Sequence, residues 1–141
     1  MDSFPRVLLT AIGVQLSCQL FKTVYYSARE RRLSLHYLGT AGGIPSAHAA
    51  FVTALVVAVG FNSGFASDVF AVSVVFGSIV IFDAYRLRGQ VQRQAQIINR
   101  RLLEPQGVQP IGEMIGHSLP EVLAGIIVGG ALSIVASLIF R

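Results

Sequence analysis

His117 is followed by Glu121 four residues later. If a helix starts near Ser118, that spacing puts both side chains on one helix face. A carboxylate so placed holds an imidazole in one tautomer and leaves the other ring nitrogen free to attack an electrophile or to bind a metal. A second histidine, His48, can protonate a leaving oxygen. It closes the run Gly42-Gly43-Ile44-Pro45-Ser46-Ala47-His48. The glycines open backbone conformations closed to other residues, and Pro45 fits the first turn of a helix. Helix N–H groups and the Ser46 hydroxyl would make that start an anion site. The same run serves equally well as a glycine–proline turn capping a membrane helix. Lys22, Arg29, Arg86 and Arg88 offer positive charge to phosphoryl oxygens, and Asp83 could pair with either of the last two. These are the residue types that a histidine-based phosphoryl transfer needs. Zinc is the weaker option because no compact ligand spacing occurs, so neither a metal nor another cofactor is expected.

The elements that must position these groups are membrane helices. Of 141 residues, 53% are apolar and only 13% charged, with a mean hydropathy of +0.65. Soluble domains carry roughly 25% charged residues, so this chain must cover its surface with lipid. Its net charge of +4 sits in two clusters between apolar runs, which suits headgroups and topology rather than nucleic acid. The lone Cys18 allows no internal disulfide. Four segments are long enough to span a bilayer: Val7 to Ala28, Ser46 to Asn62, Ala66 to Tyr85 and Val122 to Phe140. Asn62-Ser63-Gly64 makes a hairpin of the second and third. Val91, Ala95, Ile98 and Leu102 recur at helical spacing among arginines. They predict an amphipathic helix from Gly89 to Leu103 lying at the interface, and a short helix from Pro110 to Ile115 follows. Gly125 and Gly129 form a small-xxx-small pair, usable within the chain or as a homo-oligomer face. The expected fold is one domain over residues 1–141, an all-α integral membrane bundle of about four spans plus the interfacial helix. Every candidate residue above then falls at one membrane face. The arginine-rich loops place that face in the cytoplasm. Such residues also occur as plain flanking charges that snorkel to headgroups.

The same residues resemble the type-2 phosphatidic acid phosphatase and vanadium haloperoxidase superfamily, in particular its small divergent branch of membrane proteins. The likeness rests on three ordered motifs spread over nearly the whole chain: Gly42-Gly43-Ile44-Pro45-Ser46-Ala47-His48; Asp83-Ala84, Arg88, Gln94-Ala95 and Asn99; and Gly116-His117, Glu121-Val122 and Gly125. The resemblance implies a nucleophile at His117, an orienting acid at Glu121 in place of the usual aspartate, and a general acid at His48. It implies phosphate ligands at Gly43 and Ser46, and at Lys22 and Arg29, which keep the first motif's spacing. Departures are Ala47 for glycine, Glu30 for proline, and Ile111 where the wider superfamily has an arginine. Arg86 or Arg88 would substitute from the third span. The implied activity is hydrolysis of a phosphorylated lipid or isoprenoid, a phosphate or a diphosphate, by a multi-pass protein of a plasma membrane such as the bacterial inner membrane. The superfamily's lipid phosphatases mostly work on the outer face, against the charge argument. Two other readings stay open: a non-catalytic binder or transporter of phosphorylated lipids, and a small assembly subunit. Halide oxidation fits a short membrane-embedded chain poorly.

Overall fold

The computed structural model describes residues 6–33, 35–38, 42–113 and 116–140. Five α-helices are found among them: α1 (Arg6–Glu30), α2 (Ala47–Ser63), α3 (Asp68–Phe82), α4 (Arg88–Ile98) and α5 (Leu119–Ile139). The expected all-α membrane bundle is what the chain forms. The span boundaries fall within a few residues of those read from hydropathy. Ser46 and Ser67 cap α2 and α3, each accepting a backbone N–H on its side-chain oxygen. Gly64, at φ +90°, ends α2 in a conformation that favours glycine.

Helix α2 is the axis of the bundle and packs against α1, α3 and α5. At 17 residues it is about 26 Å long at 1.5 Å per residue. It runs parallel to α5 in a repeating register. The Ser46 N–H donates to Glu121 O at 3.0 Å. A Cβ on Gly125 would strike Ser46 O, and one on Gly129 would strike Ala50 O. One turn further, Ser133 Oγ donates to Ala54 O at 2.9 Å. Small residues every four positions therefore let the two backbones touch, the form of packing that serves where lipid removes the hydrophobic drive. The glycine pair left open by the sequence is thus used inside the chain. The centre is made of small side chains, Val14, Cys18, Ala47, Ala50 and Ala54. Large apolar ones such as Leu20, Val72, Ile79, Ile127 and Ile139 face outward. Small inside and large outside is the arrangement of a protein dissolved in lipid. Three helical runs are long and apolar enough to cross a membrane: Arg6–Glu30, Asp68–Leu102 and Leu119–Ile139.

Two expectations are corrected. The amphipathic segment is not a separate helix, because the helical run continues from α3 through a π-helical turn (Asp83–Leu87) into α4 and a second π turn (Asn99–Leu103). Its apolar stripe faces away from the bundle. Val91, Ile98 and Leu102 are exposed, whereas Ala95 and Asn99 are buried. Residues 110–113 are not helical. Asn99 holds Ile111 by its backbone, which draws the stretch out along α4, and Ile115 lies outside the described residues.

Candidate active site

The chain's turns bring the C-terminal ends of α1 and α3 to the N-terminal ends of α2 and α5. At that end α5 begins with a capping box: Ser118 is the N-cap, Pro120 lies in the first turn and Glu121 is the third helical residue. Glu121 Oε2 accepts from the Ser118 N–H at 3.1 Å and from His117 Nδ1 at 3.0 Å. The carboxylate that closes the helix start thereby fixes the imidazole with its proton on Nδ1. From the other side the His117 N–H donates to Ala84 O at 3.2 Å. His117 is 4% exposed, and its Nε2 is buried with no hydrogen-bond partner among the described residues. Burial pushes its proton affinity below the ordinary histidine range. Glu121 pulls it back up, while the Lys22 and Arg88 charges press it down. The net direction is downward, so the ring is neutral at physiological pH, with a lone pair on Nε2.

His48 lies in the first turn of α2, with its ring 6.1 Å from that of His117 at an interplanar angle of 62°. Its Nδ1 is also buried without a partner. Buried polar atoms are nearly always hydrogen-bonded; two unpartnered ring nitrogens side by side point to a ligand. Attack needs about 3–3.5 Å between reacting atoms and proton transfer about 2.6–3.2 Å. The 6.1 Å between the two ring centroids is of the same order as the sum of those distances.

Lys22 is fully buried on α1, and Nζ donates to Gly42 O at 3.3 Å. Gly43 has φ +94°, a conformation that favours glycine, and a Cβ there would fall 3.0 Å from the Tyr26 hydroxyl. The next peptide, Ile44–Pro45, is cis. Ser46 is buried and its oxygen accepts the Ala49 N–H at 3.3 Å, capping α2. Arg88 Nε donates to Asp83 Oδ2 at 2.9 Å, which gives Asp83 a partner that the sequence left undecided. The π turn explains the choice. Its bonds run five residues apart, as from the Arg88 N–H to Asp83 O. The turn stacks residue 88 over residue 83, where a plain α-helix would offer Arg86 or Leu87.

Arg29 and Arg86 are exposed. Arg29 stands two turns beyond Lys22, and neither arginine meets the histidines among the described residues. Ile111 is exposed on the stretch along α4. Sequence reasoning placed Ala84 in a motif but missed that its carbonyl holds His117, and it missed Gln92, whose Oε1 accepts the Gly116 N–H at 3.1 Å. A backbone carbonyl leaves no signal in a sequence. Gln92 left one, being two turns from Asn99 on the same helix side. Among the described residues no three His, Cys, Asp or Glu side chains gather as a metal-ligand set. A cavity of about 590 Å³ between α1 and α5 lies at the opposite end, against Arg6 and Phe140, away from this chemistry.

The profile of the Divergent PAP2 family matches residues 5–132. The chain belongs to the Divergent PAP2 family. It is also 30% identical, over 156 aligned positions, to "Uncharacterized membrane protein YuiD" of Bacillus subtilis (strain 168). That alignment covers 99% of this chain and 98% of the relative. No solved structure matches. Membership in the Divergent PAP2 family, with three long apolar helical runs, makes this a multi-pass membrane protein of a phosphatase-like superfamily.

Proposed function

We propose that this protein hydrolyses a phosphate or diphosphate ester of a lipid or isoprenoid through a covalent phosphohistidine. One observation carries the reading: a buried His117 with Nδ1 held by a carboxylate and Nε2 unpartnered beside a second histidine. The Nε2 lone pair attacks phosphorus, and the ester P–O bond breaks with its electrons on the leaving oxygen. Protonated His48 gives that oxygen its proton. Neutral His48 then takes a proton from water as the water oxygen attacks the phosphohistidine. The P–N bond breaks, Nε2 recovers its lone pair, and inorganic phosphate leaves with His48 again protonated. Lys22 and Arg88 hold the phosphoryl oxygens as charge shifts onto them. Arg88, steadied by Asp83, takes the place of the arginine absent at Ile111. The test is phosphate release in detergent from phosphatidic acid, isoprenyl phosphates and isoprenyl diphosphates, with His48→Asn and His117→Ala in parallel. Release that survives both substitutions rules the reading out.

Two further results follow from this geometry. The reactive His117 must be neutral, so kcat/KM falls as pH drops through its pKa. That acid limb lies below the ordinary histidine value, since burial lowers the pKa. Glu121 stabilises the imidazolium, so Glu121→Gln shifts the limb to still lower pH. It also reduces kcat by about 10²–10⁴-fold because the tautomer is no longer fixed. A pH–rate profile of the two proteins checks both. Asp83→Asn frees Arg88 from its charge partner, and KM is expected to rise about tenfold with a smaller change in kcat. An unchanged KM would remove Arg88 from the phosphate site.

A second reading, binding or transport without turnover, draws on Ile111 standing where the wider superfamily has an arginine. Tight retention of a phosphorylated lipid with no phosphate release would favour it.

A further inference from the structure

The later part of the second motif, Gln94-Ala95 and Asn99, has no role in the chemistry above. Asn99 nevertheless makes the densest polar contact of the described residues outside the histidine pair. It is fully buried where α4 passes into its second π turn. Its Nδ2 donates to Ile111 O at 2.9 Å and to Glu113 Oε1 at 2.7 Å, and its Oδ1 accepts the Ile111 N–H at 2.9 Å. An asparagine amide has two donors and one carbonyl; here all three are engaged. Toward Ile111 the side chain acts as a neighbouring strand would, taking both the N–H and the C=O of one residue. The bond to Glu113 is charge-assisted and so among the stronger ones.

The same side of α4 holds the chain again just before the nucleophile. Gln92 accepts the Gly116 N–H. A Cβ on Gly116 would come within 2.8 Å of the Gly89 backbone, so strap and helix touch there. Gly89, Gln92, Ala95 and Asn99 recur at spacings of three, three and four, one continuous helix face. Ile111, Glu113 and Gly116 are fastened to it in order, and His117 follows at once with its N–H on Ala84 O. The capping box fixes the ring of His117 from the α5 side, but nothing in α5 sets how far the preceding backbone stands from α4 and its Arg88.

We infer that Asn99 is a positioning residue for His117: with Gln92 it clamps Ile111, Glu113 and Gly116 to α4 and so sets the approach of Nε2 to a phosphoryl group held by Arg88. This rests on the reading of His117 as nucleophile. The test compares wild type, Asn99→Asp and Asn99→Asp/Glu113→Gln in detergent. Aspartate keeps an acceptor for the Ile111 N–H, loses both donors and sets a second carboxylate against Glu113. Glutamine at 113 returns a donor to it. The clamp predicts that Asn99→Asp lowers kcat about 10²-fold, the effect of a displacement near 1 Å, while KM stays within about twofold. Adding Glu113→Gln recovers about tenfold or more. Wild-type kcat in Asn99→Asp overturns the inference, and so does a loss that the second substitution does not recover. Hydrogen exchange read by mass spectrometry supplies a measure independent of turnover. The peptide spanning 108–117 exchanges faster in Asn99→Asp while α2 is unchanged. If wild type releases no phosphate from any substrate, the nucleophile reading falls. The clamp is then decided by exchange alone, and unaltered protection across 108–117 rejects it.

Discussion

Phosphate release by His117→Ala is expected to fall about 10³-fold or more, because the substitution removes the atom that bonds to phosphorus. Binding is expected to survive, since on the proposed reading Lys22 and Arg88 hold the phosphoryl oxygens from α1 and α4. The fold is also expected to survive. Glu121 still accepts the Ser118 N–H, and the Val122 N–H still donates to Ser118 O, so the start of α5 stays closed. The measurement is a full kcat and KM determination beside a melting curve in the same detergent. A kcat loss at constant KM and near-constant melting temperature is the expected pattern. Activity within about tenfold of wild type would show that His117 is not the nucleophile.

The largest stability effect is expected at the glycine seam. A Cβ on Gly129 would strike Ala50 O and sit 2.7 Å from Ala50 Cα, and backbone cannot step aside as a flexible side chain would. Overpacking typically costs about 1–3 kcal/mol, and here α5 must lift off α2. Gly129→Leu is therefore expected to lower the melting temperature markedly and to abolish activity at the same time. The coupling has a geometric reason, since the parallel register that sets Gly129 on Ala50 also sets Glu121 on Ser46. Lifting α5 carries His117 away from His48. The control is Gly130→Ala, one residue along. Its added Cβ meets only Thr53 Cγ2 at 3.8 Å, an ordinary contact. That variant is expected to melt and turn over like wild type. Equal damage from both substitutions would mean that the seam is not where α5 is held.

How much of this was legible in the sequence differs by element. The spans were, because a bilayer demands long apolar runs whatever the packing, and Ser46, Gly64 and Ser67 punctuate them at the right places. The convergence of His48, His117 and Glu121 was legible too, because alternating spans return every second loop to the same end. The detail of α3 and α4 was not. Hydropathy sees a polar segment begin at Arg86 but cannot see that a π turn carries the helix through it. Helical spacing from Asp83 favours Arg86, and only the π turn's five-residue step selects Arg88. The stripe Val91, Ile98 and Leu102 marked the helix as amphipathic without saying which face packs on the rest of the chain. In a membrane protein, however, apolar side chains are as content outside, so the buried face is the polar one that has hydrogen bonds to make. Arg29 keeps the motif spacing from Lys22 yet stands about 10 Å further along α1, beyond the groups gathered around His117. Ser46, expected at phosphate, also caps α2 with its oxygen, a second role that its place before the helix carries.

The central claim is a covalent bond between phosphorus and His117 Nε2. The most direct measurement is rapid acid-free quenching of turnover with a lipid substrate labelled in its phosphoryl group, followed by peptide mass spectrometry. The account predicts a base-stable, acid-labile phosphoryl group on the peptide carrying His117, formed within one turnover and absent from His117→Asn. Steady-state phosphate release with no phosphoryl group on His117, or release that persists in His117→Asn, would contradict it.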